Sequence, residues 1–279
     1  MVVGSLALAV QAHRMETRAK VLTFDIERRP QIGAYWDART TYIGRGQQLI
    51  RSSTISWAAK WYDEPDTIYA SVGEGDNLFR QPEHTAGYRE MIAGIRDLLD
   101  QADIVVGYNS ARFDEKRLRG EWVRLGIKDP SPFRTLDIFR TVKSLGWDYA
   151  SLAETLAAFG LEGKTSHQGF ALWLDFMRGD PEARALMEEY NRNDVTQTEL
   201  ALDCLRPYIK DHPNLNLWSG NDESGNPVEV CTNCGHANLK VAPNVTTALT
   251  QYGGVKCGNC GHSMRRNFVK ERTTLRTAR

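Results

Sequence analysis

Apolar positions change their period along this chain. Val21, Leu22, Phe24 and Ile26 form a hydrophobic run carrying Asp25 and Glu27, and predict a first strand over 21–27. Residues 50–63 and 67–72, rich in β-branched and aromatic side chains, predict further strands. Residues 30–48, with Gly33, Gly44 and Gly46, read as a long loop between them. The spacing then becomes helical. Met91, Ile92, Ile95, Leu98 and Leu99 place a helix over 85–101. A buried strand follows over 102–109, then a helix over 111–126 ending at Gly126, and an extended segment over 135–139. Helices are predicted over 151–159, 170–178 and 181–205, with Ser151 and Glu154 spaced as a capping box and Asp180-Pro181 as a helix start. Strands first and interleaved helices afterwards make an α/β domain. The helical pattern stops near Pro207. The expected organisation is therefore a leader over 1–19, an α/β domain over 20–210, a polar linker over 211–227, a cysteine-bearing module over 228–268 and a basic tail over 269–279.

Composition narrows the classes. A chain of 279 residues can bury one sizeable core plus a small appendage. Lys+Arg and Asp+Glu are both 35, so the net charge is zero and any basic surface has to be local. No apolar run approaches the roughly 20 residues of a membrane span. The mildly apolar opening over 1–11 lacks a basic flank and a cleavage site, which argues against a signal peptide; residues 1–14, ahead of Met15, read as a loose leader or the product of an upstream start. Of five cysteines, four form two CxxC pairs and Cys204 stands alone, which suits metal ligation in a reducing compartment better than disulfides.

The acidic residues carry the chemistry. Alternate residues of a strand share a face, so Asp25 and Glu27 converge. Asp114 follows the buried strand and the turn Gly107-Tyr108-Asn109, at a helix start, where the helix dipole alone would also favour it. Tyr190 and Asp194, four apart in a helix, share a face. Carboxylates gathered together repel and resist ionising. Hard divalent cations relieve that repulsion, and a pair of Mg²⁺ or Mn²⁺ ions about 3.5–4 Å apart is suited to attacking a phosphodiester. The chain thus reads as a metal-dependent nuclease. Asp137 reads as a solvated strand-edge residue and His167 as a loop residue in reach of substrate. Tyr35, Trp36 and Trp61 are candidate platforms for base stacking.

In the order and spacing of these motifs the chain resembles the DEDD family of 3′–5′ exonucleases, whose core is ribonuclease-H-like. The first motif, DxE, falls on Asp25 and Glu27; the second on Asn109, Phe113 and Asp114; the third, Tyr-x-x-x-Asp, on Tyr190 and Asp194. Glu189 stands where the histidine variant would place its histidine, so the likeness is to the tyrosine subclass, as in proofreading domains of family B polymerases. Segments 56–61, 167–174 and 205–214 are similar to a phage-type group of DnaQ-like exonucleases that carry a zinc ribbon. The resemblance implies a mixed sheet flanked by helices, with two Mg²⁺ (or Mn²⁺) held by Asp25, Glu27, Asp114 and Asp194. It further implies a water positioned by Tyr190 and a terminal nucleotide seated by Asn109 and Phe113. The implied substrate is nucleic acid with single-stranded 3′ ends, DNA foremost. Replication or repair proteins are the implied partners, and the cytoplasm (the host's, for a phage protein) the implied location. A ribonuclease or structure-specific nuclease with the same site, or a non-catalytic nucleic-acid-binding module, are the alternatives.

Cys231, Cys234, Cys257 and Cys260 are separated into two knuckles by 22 residues, and each knuckle is followed by Gly-His. Four thiolates in this arrangement hold a structural Zn²⁺ in a closed tetrahedron, with glycines permitting the tight turns. His236 and His262 are expected around the site or exposed; a ligand set with one histidine and an iron–sulfur cluster are the alternatives. A module of about 40 residues builds little core, so the metal would supply most of its stability. Residues 264–279 hold six basic residues and one acidic residue, which predicts phosphate contact or, failing that, protein docking.

Overall fold

The computed structural model describes residues 14–275 apart from 38, 40–41, 74–79, 86, 149 and 162–168, so His167 and most of the expected leader lie outside the described residues. The chain divides into two compact units, Lys20–Glu199 and a second made of Met1–Ala19 with Leu200–Arg279.

The first unit is built on a five-stranded sheet in the order β5-β4-β1-β6-β7. Its strands are β1 (Val21–Arg28), β4 (Thr54–Trp61), β5 (Ile68–Ser71), β6 (Ile104–Gly107) and β7 (Arg134–Asp137). β1 pairs antiparallel with β4 and parallel with β6, so the sheet is mixed. Helices α1 (Tyr88–Gln101), α2 (Asp114–Leu125), α3 (Ile138–Ser144), α4 (Leu152–Ala158), α5 (Phe170–Arg178) and, as far as Glu199, α6 (Pro181–Leu205) complete it. This is the mixed sheet flanked by helices that the resemblance implies. Leu22, Phe24 and Ile26 of β1 pack with Ile92, Ile95 and Leu99 of α1, Trp122 of α2, Phe176 of α5 and Met187 of α6. Each such side chain contributes roughly 1.5–3 kcal/mol when fully buried. The indole N–H groups that burial would strand are satisfied: Trp57 donates to the carbonyl of Met91 at 2.8 Å and Trp122 to that of Ile92 at 3.2 Å.

Two local expectations change. The segment read as a loop over 30–48 carries a short hairpin, β2 (Ile32–Gly33) with β3 (Gln48–Ile50), and a 3₁₀ turn over Arg45–Gln47. Strands of two and three residues are too short to print a period on the sequence. The helix expected from 111 begins at Asp114, because Asn109 takes a left-handed conformation (φ 65°) and the chain turns through 110–113 before the helix starts.

The second unit carries a three-stranded antiparallel sheet, β8 (Leu239–Thr246), β9 (Thr250–Cys257) and β10 (Ser263–Arg272), in the order β10-β9-β8. Residues 211–227, expected as a linker, include a 3₁₀ turn over Leu215–Trp218 and a bridge between Asn221 and Pro227, and Leu215 N–H donates to the carbonyl of Thr232 at 2.9 Å. Arg206 is fully buried, donating to Asp203 at 2.8 Å and to the Asn233 carbonyl at 3.2 Å, while the Asn233 amide returns a bond to the Arg206 carbonyl at 2.6 Å. Burial and the Arg206 charge push His212 down to about 3, so its ring is neutral. Of the expected leader, Glu16 lies against the first cysteine knuckle and its N–H donates to the Cys234 carbonyl at 2.8 Å. A Cβ on Gly235 would sit 1.5 Å from the Glu16 carbonyl oxygen, so this approach requires glycine. Among the described residues no helix is long and apolar enough to cross a membrane.

Candidate active site

The central strand and the longest helix of the first unit supply the site. β1 alternates buried apolar residues with Asp25 and Glu27, and α6 presents Tyr190, Asn191 and Asp194 within little more than one turn. Ligand oxygens of Asp25, Glu27 and Asp194 all lie within 4.8 Å of one another. Asp114, at the start of α2, is 4% exposed and stands outside that trio. Its carboxylate accepts from backbone N–H groups, its own and that of Ile26, and so rests against β1.

Gathering these groups out of water has an electrostatic cost. The Asp25 carboxyl is raised well above the ordinary range, first by burial and then by the charges of Asp114, Glu27 and Asp194, with Asn191 opposing. Burial pushes Asp114 up to about 7, its backbone hydrogen bonds hold it down, and Glu115 and Asp137 add to the rise. Tyr190 is raised by burial and by Asp194, Glu27 and Asp25, and its hydroxyl bonds to Asp194, so the phenol keeps its proton at neutral pH. Oxygen-only donors packed this closely fit hard divalent cations such as Mg²⁺ or Mn²⁺, which offset the mutual repulsion.

Asn191 is a residue that sequence reasoning missed. It is fully buried; its amide donates to Asp25 Oδ2 at 2.9 Å, and its Oδ1 accepts from Ser56 Oγ at 3.2 Å. Ser56 sits on β4 directly across from Glu27. A hydrogen-bonded line thus runs from β4 through α6 to the first carboxylate.

The reading of Asp137 as solvated is corrected. Asp137 is buried, and its Oδ1 accepts from the N–H of Asn109 at 2.8 Å and from that of Phe139 at 3.2 Å. It caps α3 and holds the Asn109 turn in its left-handed conformation. Phe113 is not a core residue: it is 41% exposed, with the Arg117 guanidinium 5.4 Å from its ring centroid. With Glu27, Arg28, Phe170 and Trp173 it lines a cleft of about 440 Å³. Trp173 in turn meets Tyr190 edge-on at 6.1 Å. Of the three stacking candidates, Trp61 packs against the core, whereas Tyr35 and Trp36 are exposed.

In the second unit the sulfurs of Cys231, Cys234, Cys257 and Cys260 all lie within 4.8 Å of one another. Cys231 and Cys260 sulfurs stand 3.7 Å apart and Cys234 and Cys257 sulfurs 3.6 Å apart. These are not disulfides, whose bond is near 2.05 Å. A tetrahedron with metal–sulfur bonds of about 2.3 Å has edges of about 3.8 Å, so the cluster has the size such an ion requires. The two knuckles repeat one design. Asn233 and Asn259 N–H groups donate to Cys231 and Cys257 sulfurs at 3.4 and 3.3 Å, and Gly235 and Gly261 both take positive φ. Neither histidine belongs to the cluster; His236 contacts the Arg14 carbonyl at 2.9 Å and Glu16 at 3.0 Å.

A family described as the RNase_H superfamily matches residues 62–206, a stretch that holds Asp114, Tyr190 and Asp194 and begins after β1. No curated protein matches the chain. Among solved structures, the family B DNA polymerase from the hyperthermophilic archaeon Pyrobaculum calidifontis is similar over 75% of this chain at 20% identity, with a TM-score of 0.48; the chain spans 26% of that polymerase's length.

Proposed function

The chain belongs to the RNase_H superfamily, and from that premise we propose that it is a metal-dependent 3′–5′ exonuclease of the DEDD type, tyrosine subclass, acting on single-stranded ends and on DNA foremost. The observation that carries this reading is the convergence of Asp25, Glu27 and Asp194 within 4.8 Å, with Asp114 against the same strand. These four carboxylates would hold two Mg²⁺ or Mn²⁺ ions, and the four cysteines one structural Zn²⁺. When bound, the divalent ions supply Lewis acidity to a water and offset charge on the phosphate and the leaving 3′ oxygen.

The chain's own groups do the rest. Tyr190, whose hydroxyl bonds to Asp194 and whose proton the metal-free site holds on, would orient the attacking water by hydrogen bonding. Asn191 fixes the rotamer of Asp25. Phe113, Phe170 and Trp173 give the terminal base an apolar cleft beside Glu27, and Asn109 of the second motif would help seat the same nucleotide. Cysteines paired for a metal and a local basic tail suit a cytoplasmic protein working with replication or repair proteins, and a zinc ribbon would fit the phage-type group.

Asn191→Ala should lower activity by about 10–100-fold, the usual cost of removing a group that orients a metal ligand, while the thermal melt stays within a few degrees. Titrating Mg²⁺ would show the half-saturating concentration rising; an unchanged metal requirement and rate would remove Asn191 from the site. The reading as a whole is tested with end-labelled single- and double-stranded DNA and RNA in Mg²⁺, Mn²⁺ or EDTA. A ladder shortening one nucleotide at a time from the 3′ end, abolished by EDTA, is expected. Internal cuts, or degradation that ignores the chelator, would overturn it.

A further inference from the structure

A second and larger cleft, about 920 Å³, lies in the first unit between the β2–β3 hairpin and α2. It shares Arg28 with the aromatic cleft beside Glu27, so the two adjoin at that residue. Its lining is strongly cationic. Arg28, Arg45, Arg51, Lys116, Arg117 and Arg124 all face it, and among the described residues Glu121 is the one carboxylate of the lining. Glu121 is already engaged by Arg28 at 2.7 Å, and Arg51 by Glu83 at 2.5 Å. Among the described residues no ion pair involves Arg45, Lys116, Arg117 or Arg124. In a chain with equal numbers of acidic and basic residues, such a concentration is not a product of composition.

The arrangement suits an extended polyanion. Lys116, Gly120 and Arg124 follow one another at four-residue spacing and share a face of α2. Lys116 and Arg124 are therefore about 12 Å apart along the axis, a length over which a nucleic-acid strand presents several phosphates. Gly120 lines the cleft between them, and a Cβ built there meets nothing within 4 Å, so the floor is open. On the opposite wall Tyr42 is 80% exposed beside Arg45. Cations along a groove together with an exposed aromatic face bind unpaired bases and their backbone; a duplex keeps its bases stacked and offers Tyr42 no partner.

We infer that this cleft carries the single-stranded polynucleotide on the 5′ side of the scissile end, its phosphates on Lys116, Arg124 and Arg45 and a base against Tyr42. The inference rests on the exonuclease reading for the direction of the strand, but the binding it describes is measured without catalysis. The test uses the full chain with zinc in place, a fluorescent 20-nucleotide single strand (DNA and RNA arms) and a matched duplex, and anisotropy in EDTA-free buffer containing no Mg²⁺ or Mn²⁺. The triple variant Arg45→Gln/Lys116→Gln/Arg124→Gln should bind the single strand at least tenfold more weakly at low salt. Its plot of log affinity against log salt should be shallower by about 2, since each phosphate contact contributes roughly 0.7 on single strands. A control removing three exposed cations elsewhere in the unit, Arg119→Gln/Lys128→Gln/Lys143→Gln, should bind within about threefold of wild type. The charge-keeping variant Arg45→Lys/Lys116→Arg/Arg124→Lys should retain binding, which separates loss of charge from loss of fold. Equal weakening in the triple variant and the control, or tighter binding of the duplex than of the single strand, overturns the inference. Failure of the nuclease reading would look different: wild type would bind in this way yet degrade nothing when Mg²⁺ is added.

Discussion

The double substitution Asp25→Ala/Glu27→Ala is expected to slow degradation of a labelled single strand by roughly a thousandfold or more. Two of the three carboxylates that meet within 4.8 Å disappear together. A metal's Lewis acidity is worth several kcal/mol, and each 1.36 kcal/mol is a factor of ten in rate. Stability should move the other way. In the metal-free protein Asp25 is held well above its ordinary range by burial and by Asp114, Glu27 and Asp194, so removing two of these groups relieves repulsion. The variant's melting temperature in EDTA should therefore equal or exceed that of wild type, which distinguishes a lost site from a lost fold. Cleavage by the variant at the wild-type rate would end the assignment of these residues.

The second large effect is expected at the cysteine knuckles. The buried core around them consists of Cys231, Cys234, Cys257 and Cys260 with Leu239 and Met264 packed alongside, too few apolar groups to hold a three-stranded sheet. Structural zinc contributes apparent free energies of about 10–16 kcal/mol in small modules. Cys231→Ser should lose the metal and unfold the strands over 239–272. Metal analysis would fall from one zinc per chain towards zero, and limited proteolysis would clip the C-terminal unit while leaving a protected fragment over the 20–199 core, which has its own hydrophobic cluster. Full protection of both units in the metal-stripped variant would show that the sulfurs are incidental to the fold.

Much of this architecture was legible in the residues, for reasons that differ by element. Asp25 and Glu27 stood out because a strand has a period of two and the neighbours Phe24 and Ile26 are apolar. Tyr190 and Asp194 followed from helical spacing. The paired knuckles carried their geometry in the Cys-x-x-Cys-Gly pattern itself. Asn191 was hidden, because a polar residue in a charged helical stretch, Asn-Arg-Asn-Asp, reads as solvated; only the packing of α6 on β1 and β4 turns it inward. Asp137 failed for the same cause in reverse: a lone acid at a strand end looks wet until the Asn109 turn is seen to need its oxygen. The basic cleft was invisible because its cations come from segments as far apart as Arg28 and Arg124, and the short β2–β3 hairpin that brings them together is too brief to show a period.

β1 lies in the middle of its sheet, bonded on one side to β4 and on the other to β6. Amide groups of a strand paired on both sides exchange their hydrogens only when the whole unit opens. Asp25 and Glu27 stand just past the Val21–Thr23 stretch that pairs with β6 and are laddered to Ala58 and Ser56 of β4 alone, so the half of β1 that carries them should exchange before the doubly paired half, and activity should fade on heating slightly ahead of global melting.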